Sequence, residues 1–276
     1  MAIPAGDSHQ VASGGVIAAG RHYIVGNQRI AIWGQSNAVG RADRADIAAA
    51  PLSADAGLAT FDAGTFSRVY IWDGSNYAQL SAANNGASAG QFGPEFGIAV
   101  RWMRETTTGN LYIDKEALGS TSIDYWAPGG TAYIAAQTNR TNANAWLSAH
   151  SITLANPETG WLWVQGEYDS AQIQSWYETR ISALIDGRVA DGLMTTNAKR
   201  MLAQMVVGSA QYGAGVAAAK ASYAAANSTN TIAPDMVPTF AGYMRTDDQV
   251  HANGRGQVHL GYRAFEYFFS ASHISV

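Results

Sequence analysis

The sequence predicts an α/β fold, a three-layer α/β/α sandwich with a mostly parallel central sheet. Three observations lead there. Short apolar runs, QRIAIW, LYIDKEAL, GWLWVQG and RMLAQMVVG, alternate with amphipathic or Ala-rich stretches of helix length. No internal repeat is apparent, and strands separated by helices at this rhythm argue for one sheet covered on both faces. Of 276 residues, 47% are hydrophobic and 14% charged, which supplies the apolar surface for one large core and argues against a disordered chain.

Residues 1–27 are rich in Gly and Ala and read as an irregular lead-in or small hairpin around 21–27, leaving 28–276 as a single domain. A buried strand is predicted over 28–33; it stops at Gly34, and SNAVGRADRADIAAA then turns into a helix. A Gly, Ala and Ser-rich surface excursion follows, with a short strand at 68–72 and loops at 73–76 and 82–93. Pro94 suits a helix start, with Phe96, Ala99, Val100 and Met103 on one stripe, before a strand in LYIDKEAL. The loop GSTSIDYWAPGG leads into a helix over 131–150, a strand in GWLWVQG, and a helix over 171–185 carrying Ile173, Trp176, Tyr177, Ile181 and Leu184 at helical spacing. A strand in RMLAQMVVG, a helix over 214–226, a loop with Pro234 and Pro238 and a last helix over 256–269 complete the chain. In such sheets, sites form at the carboxyl ends of the strands.

Composition narrows the function. The net charge is -4 and the Lys and Arg residues are scattered, so the basic footprint of a nucleic-acid binder is missing. With no cysteine there is neither a disulfide framework nor a thiolate nucleophile or metal ligand. MAIPAGDSHQ lacks the pattern of a signal peptide, and no stretch has the roughly 18 apolar residues of a membrane span. The chain therefore reads as soluble with no membrane partner, although a leader removed beforehand would leave the same appearance. Eight Trp and thirteen Tyr suit the faces of sugar rings as well as a core.

Ser36, in Gly34-Gln35-Ser36-Asn37, sits where a strand gives way to a helix, which presents its hydroxyl at the sheet edge beside free backbone N–H groups. Position alone favours a capping serine with no chemistry. Among six histidines, His251 stands out because Asp248 lies three residues earlier, where a carboxylate can hold one imidazole nitrogen and leave the other for a serine hydroxyl. His259 falls on the last helix as a surface or cap residue, and the two histidines lack a third metal ligand, so neither metal nor cofactor is expected.

GQSNAVG, GSTSIDYW, WVQGEYD and DDQVH, in that order along the chain, resemble the sequence blocks of SGNH hydrolases. More narrowly they resemble carbohydrate esterase family 6 and the sialate O-acetylesterase-like proteins, which carry GQS around the nucleophile. The resemblance implies that Ser36 is the nucleophile, His251 the general base and then acid, and Asp248 its orienting carboxylate. It implies an oxyanion hole made of the Ser36 N–H, the Gly119 N–H and the Gln165 side-chain amide. Gln165 departs from the Asn of the broader family, and Gly93 in QFGPE is a second candidate for the glycine. Gln35, Asn37, Trp72, Tyr125, Trp126 and Glu167 are the candidates for substrate binding, with Tyr77 beside them.

The function expected is hydrolysis of short acyl esters, acetyl above all, on a carbohydrate. A lipase, arylesterase or polyesterase with the same triad is the alternative enzyme. A carbohydrate-binding attachment module on an esterase fold is the alternative of another class. Glu95 and Glu167 also offer the paired carboxylates of a glycosidase, although both sit inside the esterase-like blocks, where a carboxylate suits loop bracing.

Overall fold

The computed structural model describes residues 26–48 and 65–269; the predicted lead-in lies outside them apart from its last two residues. Nine strands occur among the described residues: β1 (Gln28–Gly34), β2 (Ala42–Asp43), β3 (Thr65–Trp72), β4 (Tyr77–Ser81), β5 (Gln91–Phe92), β6 (Leu111–Ala117), β7 (Gly160–Val164), β8 (Lys199–Leu202) and β9 (Thr231–Ile232). Seven form one sheet in the order β4-β3-β6-β1-β7-β8-β9, parallel throughout except for the β3–β4 pair at its edge. The helices are α1 (Ser36–Val39), α2 (Ala45–Ala48), α3 (Pro94–Glu105), α4 (Thr131–Ala149), α5 (Gln174–Ala190), α6 (Ala214–Ala226) and α7 (Gly254–Phe269), with a 3₁₀ turn at Ile123–Trp126.

β1 is buried along its whole length because it lies between β6 and β7 and is covered on both faces. Alternate side chains enter different cores. Ile30 and Ile32 pack with α3 and α7, whereas Ala31 and Trp33 pack with α4, α5 and α6. This is the predicted three-layer sandwich. On the Trp33 face the wholly buried Arg188 places its guanidinium 3.8 Å above the Trp33 ring and pairs with Glu158 at 2.8 Å. On the other face α3 and α7 touch backbone to backbone, since a Cβ on Gly97 would stand 2.4 Å from the Val258 carbonyl oxygen and one on Gly261 2.2 Å from that of Pro94.

Four local expectations are corrected. The helix predicted after Gly34 breaks into α1 and α2, because Gly40 adopts φ 94° and presses against Gly93, leaving only 2.4 Å between a Cβ there and the Gly93 nitrogen. β2 and β5 pair antiparallel at this crossing. The excursion contributes β4, which pairs with β3 at the sheet edge. The helix predicted from 171 starts at Gln174 and runs to Ala190, and Ile173 is 68% exposed. The two-residue β9 gives no sequence signal.

Gly261→Ala is expected to lower stability by about 2 kcal/mol or more, since backbone atoms are the obstacle and cannot rotate away. Urea unfolding of the purified variant measures it.

Candidate active site

β1 ends in a backbone conformation that only glycine accepts comfortably: Gly34 has φ 143°, and a Cβ would lie 2.0 Å from the Val164 carbonyl oxygen. That oxygen accepts the Gln35 N–H at 2.9 Å, and the turn delivers Ser36 to the carboxyl edge of the sheet. Ser36 Oγ lies 2.8 Å from His251 Nε2, and His251 Nδ1 lies 2.7 Å from Asp248 Oδ2. An aspartate reaches a histidine three residues on because Gln249 takes φ 56°. Asp248 Oδ1 accepts the backbone N–H groups of Val250 at 2.9 Å and His251 at 3.0 Å, closing a tight turn. Burial works against the Asp248 charge, but the hydrogen bonds from the His251 ring and from these two N–H groups hold its carboxyl below the usual range. Arg245 Nε stands 3.6 Å from the same carboxylate. The geometry therefore brings Ser36, His251 and Asp248 into one hydrogen-bonded series across 215 residues of sequence.

Gly119 follows β6 and faces the serine: a Cβ on it would lie 3.8 Å from Ser36 Cβ. The N–H groups of Ser36 and Gly119 meet no acceptor among the described residues. The alternative, Gly93, donates its N–H to Glu95 Oε1 at 2.7 Å. Glu95 in turn accepts from the buried Lys115 Nζ at 2.8 Å, and Lys115 also donates to the carbonyls of Val39 and Asn85. Glu95 is thus a brace for the loops beside the serine. Lys115 titrates below the ordinary lysine range because burial outweighs the Glu95 charge.

Gln165 departs from its expected use. Its Nε2 donates to the Thr121 carbonyl at 3.1 Å and to Asp169 Oδ2 at 2.6 Å, and its Oε1 accepts from the Tyr177 hydroxyl at 2.6 Å. Both amide hydrogens are engaged, so in this arrangement the side chain holds loops together and has no donor left for a substrate oxygen. Asp169 Oδ2 also accepts the Ile123 N–H at 2.8 Å.

Three of the substrate-binding candidates are corrected the same way. Gln35, Asn37 and Glu167 are 2%, 0% and 4% exposed. Glu167 accepts Gln35 Nε2 at 2.6 Å and Asn37 Nδ2 at 2.7 Å. Asn37 reaches on to the histidine loop, donating to the Val250 carbonyl at 3.2 Å and accepting the Ala252 N–H at 2.9 Å. Two of the aromatic candidates are core as well. Trp126 packs against Trp33 and donates to Thr121 Oγ1, while Trp72 is buried with Tyr77 in the cluster under β3 and β4. Of the aromatic candidates only Tyr125 is exposed. His259 is half-buried against Tyr243, and burial, followed by Arg263 and Arg255, pushes its ring down to about 4.

Sequence reasoning missed Lys220, Asp169, Tyr177 and Arg245. Asp169 closes the quoted WVQGEYD block, whereas Lys220, in an Ala-rich helix, has no local signal. Lys220 is wholly buried and donates to the carbonyls of Gln165 and Ala203, joining the ends of β7 and β8. Burial pulls its ammonium down to about 8, although Glu167 and Asp169 favour the charge. Among the described residues no group of three or more metal-ligating side chains occurs, and no helix is long and apolar enough to cross a membrane.

A mostly parallel sheet lies between helical layers, and serine, histidine and aspartate are linked at its carboxyl edge. The family model described as carbohydrate esterase, sialic acid-specific acetylesterase, matches residues 28–270, and the chain belongs to that family. It is a carboxylic ester hydrolase. Among solved structures, it is similar to a protein of Arabidopsis thaliana at 18% identity, over 89% of this chain and 99% of that one, with a TM-score of 0.62. NanS is similar at 14% identity, 87% and 95% coverage and a TM-score of 0.54. A carbohydrate acetylesterase from Xanthomonas citri is similar at 16% identity and a TM-score of 0.51, over 88% of this chain and 55% of that one. No curated protein matches the sequence.

Two outcomes follow from the buried hydrogen bonds. Gln165→Ala leaves Asp169, the Tyr177 hydroxyl and the Thr121 carbonyl short of a partner, and a loss of about 2–4 kcal/mol in urea unfolding is expected; lowered kcat with unchanged stability would instead mark a substrate contact. For Lys220 the folded pKa of about 8 lies below the ordinary 10.5, so between these values the unfolded chain binds more protons and stability gains with rising pH. The stability deficit of Lys220→Met relative to the parent protein should therefore widen from pH 8 to pH 10, measured by urea unfolding at each pH.

Proposed function

We propose that this esterase removes acetyl groups from an acetylated carbohydrate through a Ser36-His251-Asp248 triad and an acyl-enzyme intermediate. The observation that carries the reading is the pair of hydrogen bonds running from Ser36 Oγ through the His251 ring to Asp248. Asp248 accepts a hydrogen bond from the Nδ1–H, which leaves Nε2 as the acceptor for the serine proton. As Ser36 Oγ bonds to the ester carbon, its proton passes to Nε2 and the carbonyl π pair moves onto oxygen. The N–H groups of Ser36 and Gly119, with no acceptor among the described residues, suit that developing anion. The pair then returns, the bond to the sugar oxygen breaks, and His251 gives that oxygen its proton. Water then passes a proton to the same imidazole and bonds to the acyl carbon, the bond to Ser36 Oγ breaks, and His251 returns the proton to Ser36 as acetate leaves. The family description and the carbohydrate acetylesterase among the similar structures support acetylated sugar as substrate. The exposed rings of Tyr125 and Tyr168 suit the faces of sugar rings.

Ser36→Ala is expected to lose about a thousandfold or more in kcat while unfolding at the same temperature as the parent protein. Hydrolysis of p-nitrophenyl acetate against the octanoate tests the acyl preference in the same assay. Faster cleavage of acetate supports the deacetylase, faster cleavage of octanoate a lipase, and absence of turnover a binding module.

A further inference from the structure

We propose that Arg41 is a further catalytic residue, whose guanidinium stabilises the oxyanion formed when Ser36 adds to the ester; the inference rests on the esterase reading above. The Cβ position of Gly119 lies 3.4 Å from Arg41 Nη2 and 3.8 Å from Ser36 Cβ, so the guanidinium shares one small space with the nucleophile and the glycine that faces it. It is half-buried, and it meets no hydrogen-bond or ion-pair partner among the described residues. The acids of its own segment are turned elsewhere: Asp43 toward Arg245 at 3.5 Å, and Asp46 to the Gly254 N–H at 2.7 Å. The backbone of Arg41, by contrast, is fixed. Gly40 forces the turn before it, and its carbonyl accepts from Arg245 Nη1 at 2.8 Å. Arg245 also stands beside Asp248, so the same residue ties this backbone to the triad.

An arginine held at its backbone and, among the described residues, unpaired at its tip, beside a nucleophile, awaits a negative charge that is absent in the resting protein. Addition of Ser36 creates one on the carbonyl oxygen, and Arg41 meets it without gaining or losing a proton. The two N–H groups near this oxygen are neutral, and the side-chain donor that the sequence suggests, Gln165, is engaged with Thr121 and Asp169. A half-buried cation on a fixed backbone supplies what the amide does not. Because the ester carbonyl is uncharged before attack, the gain appears in kcat more than in KM.

The test is steady-state kinetics of the parent protein, Ser36→Ala, Arg41→Ala and Arg41→Lys on p-nitrophenyl acetate, an acetylated xyloside and an acetylated glucuronoside. For Arg41→Ala, kcat should fall roughly ten- to hundredfold on all three substrates, with KM changed by less than about threefold. Arg41→Lys, which keeps the charge but not the planar fork, should fall between the two, and added guanidinium should restore part of the turnover of the alanine variant. Turnover of Arg41→Ala within about twofold of the parent overturns the inference. So does a loss confined to the glucuronoside, which would make Arg41 a reader of substrate charge. A loss matched by a fall in melting temperature and not relieved by guanidinium also overturns it. A parent protein inactive on every ester, or a Ser36→Ala variant that stays active, sinks the esterase reading and this inference with it, whereas Ser36-dependent activity indifferent to Arg41 sinks this inference alone.

Discussion

A buried carboxylate holds the site in shape. Glu167 offers one oxygen to the Gln35 amide and the other to the Asn37 amide, the two residues on either side of Ser36. Removing a carboxylate from water costs several kcal/mol unless its charge is met by hydrogen bonds, so the turn cannot move off Glu167 without exposing that penalty. Asn37 carries the constraint onward to Val250 and Ala252, the neighbours of His251. The spacing between serine and histidine is therefore set by residues one place removed from each, and the 2.8 Å contact between Ser36 Oγ and His251 Nε2 need not hold the loops together. Lys220 completes the frame by joining the ends of β7 and β8 beneath Glu167.

The sheet was legible in the sequence because most of its strands are short runs rich in apolar residues, separated from one another by amphipathic or Ala-rich stretches of helix length. β9 escaped detection because two residues carry no pattern, and the break between α1 and α2 because it depends on Gly40 meeting Gly93, a contact made only in three dimensions. At the site, the spacing of Asp248 and His251 and the GQSN turn pointed to the residues that the fold brings together. The substrate-binding candidates were read less well for a common reason. Amides, carboxylates and aromatic rings in loop sequences look available to a ligand, and only packing reveals that Gln35, Asn37, Glu167 and Gln165 bind one another's neighbourhood while Trp72 and Trp126 fill cores.

Gly34, Gly97 and Gly261 mark three places where two backbones approach too closely for any side chain. In each case the obstacle is a carbonyl oxygen of the neighbouring element. The close contacts anchor the serine turn to β7 and the last helix to α3, so the turn that carries Ser36 and the helix that follows His251 both rest on main-chain contacts that side-chain repacking cannot relax.

The strand order places β1 between β6 and β7, so the first sequence block lies in space between the second and the third. The chain leaves the site after each block, crosses an outer layer, and returns to the same edge. Segments gained or lost in those outward journeys lengthen or shorten the cover without changing which three strand ends meet. Such a protein can acquire new surfaces over evolutionary time while Ser36, His251 and Asp248 stay where they are.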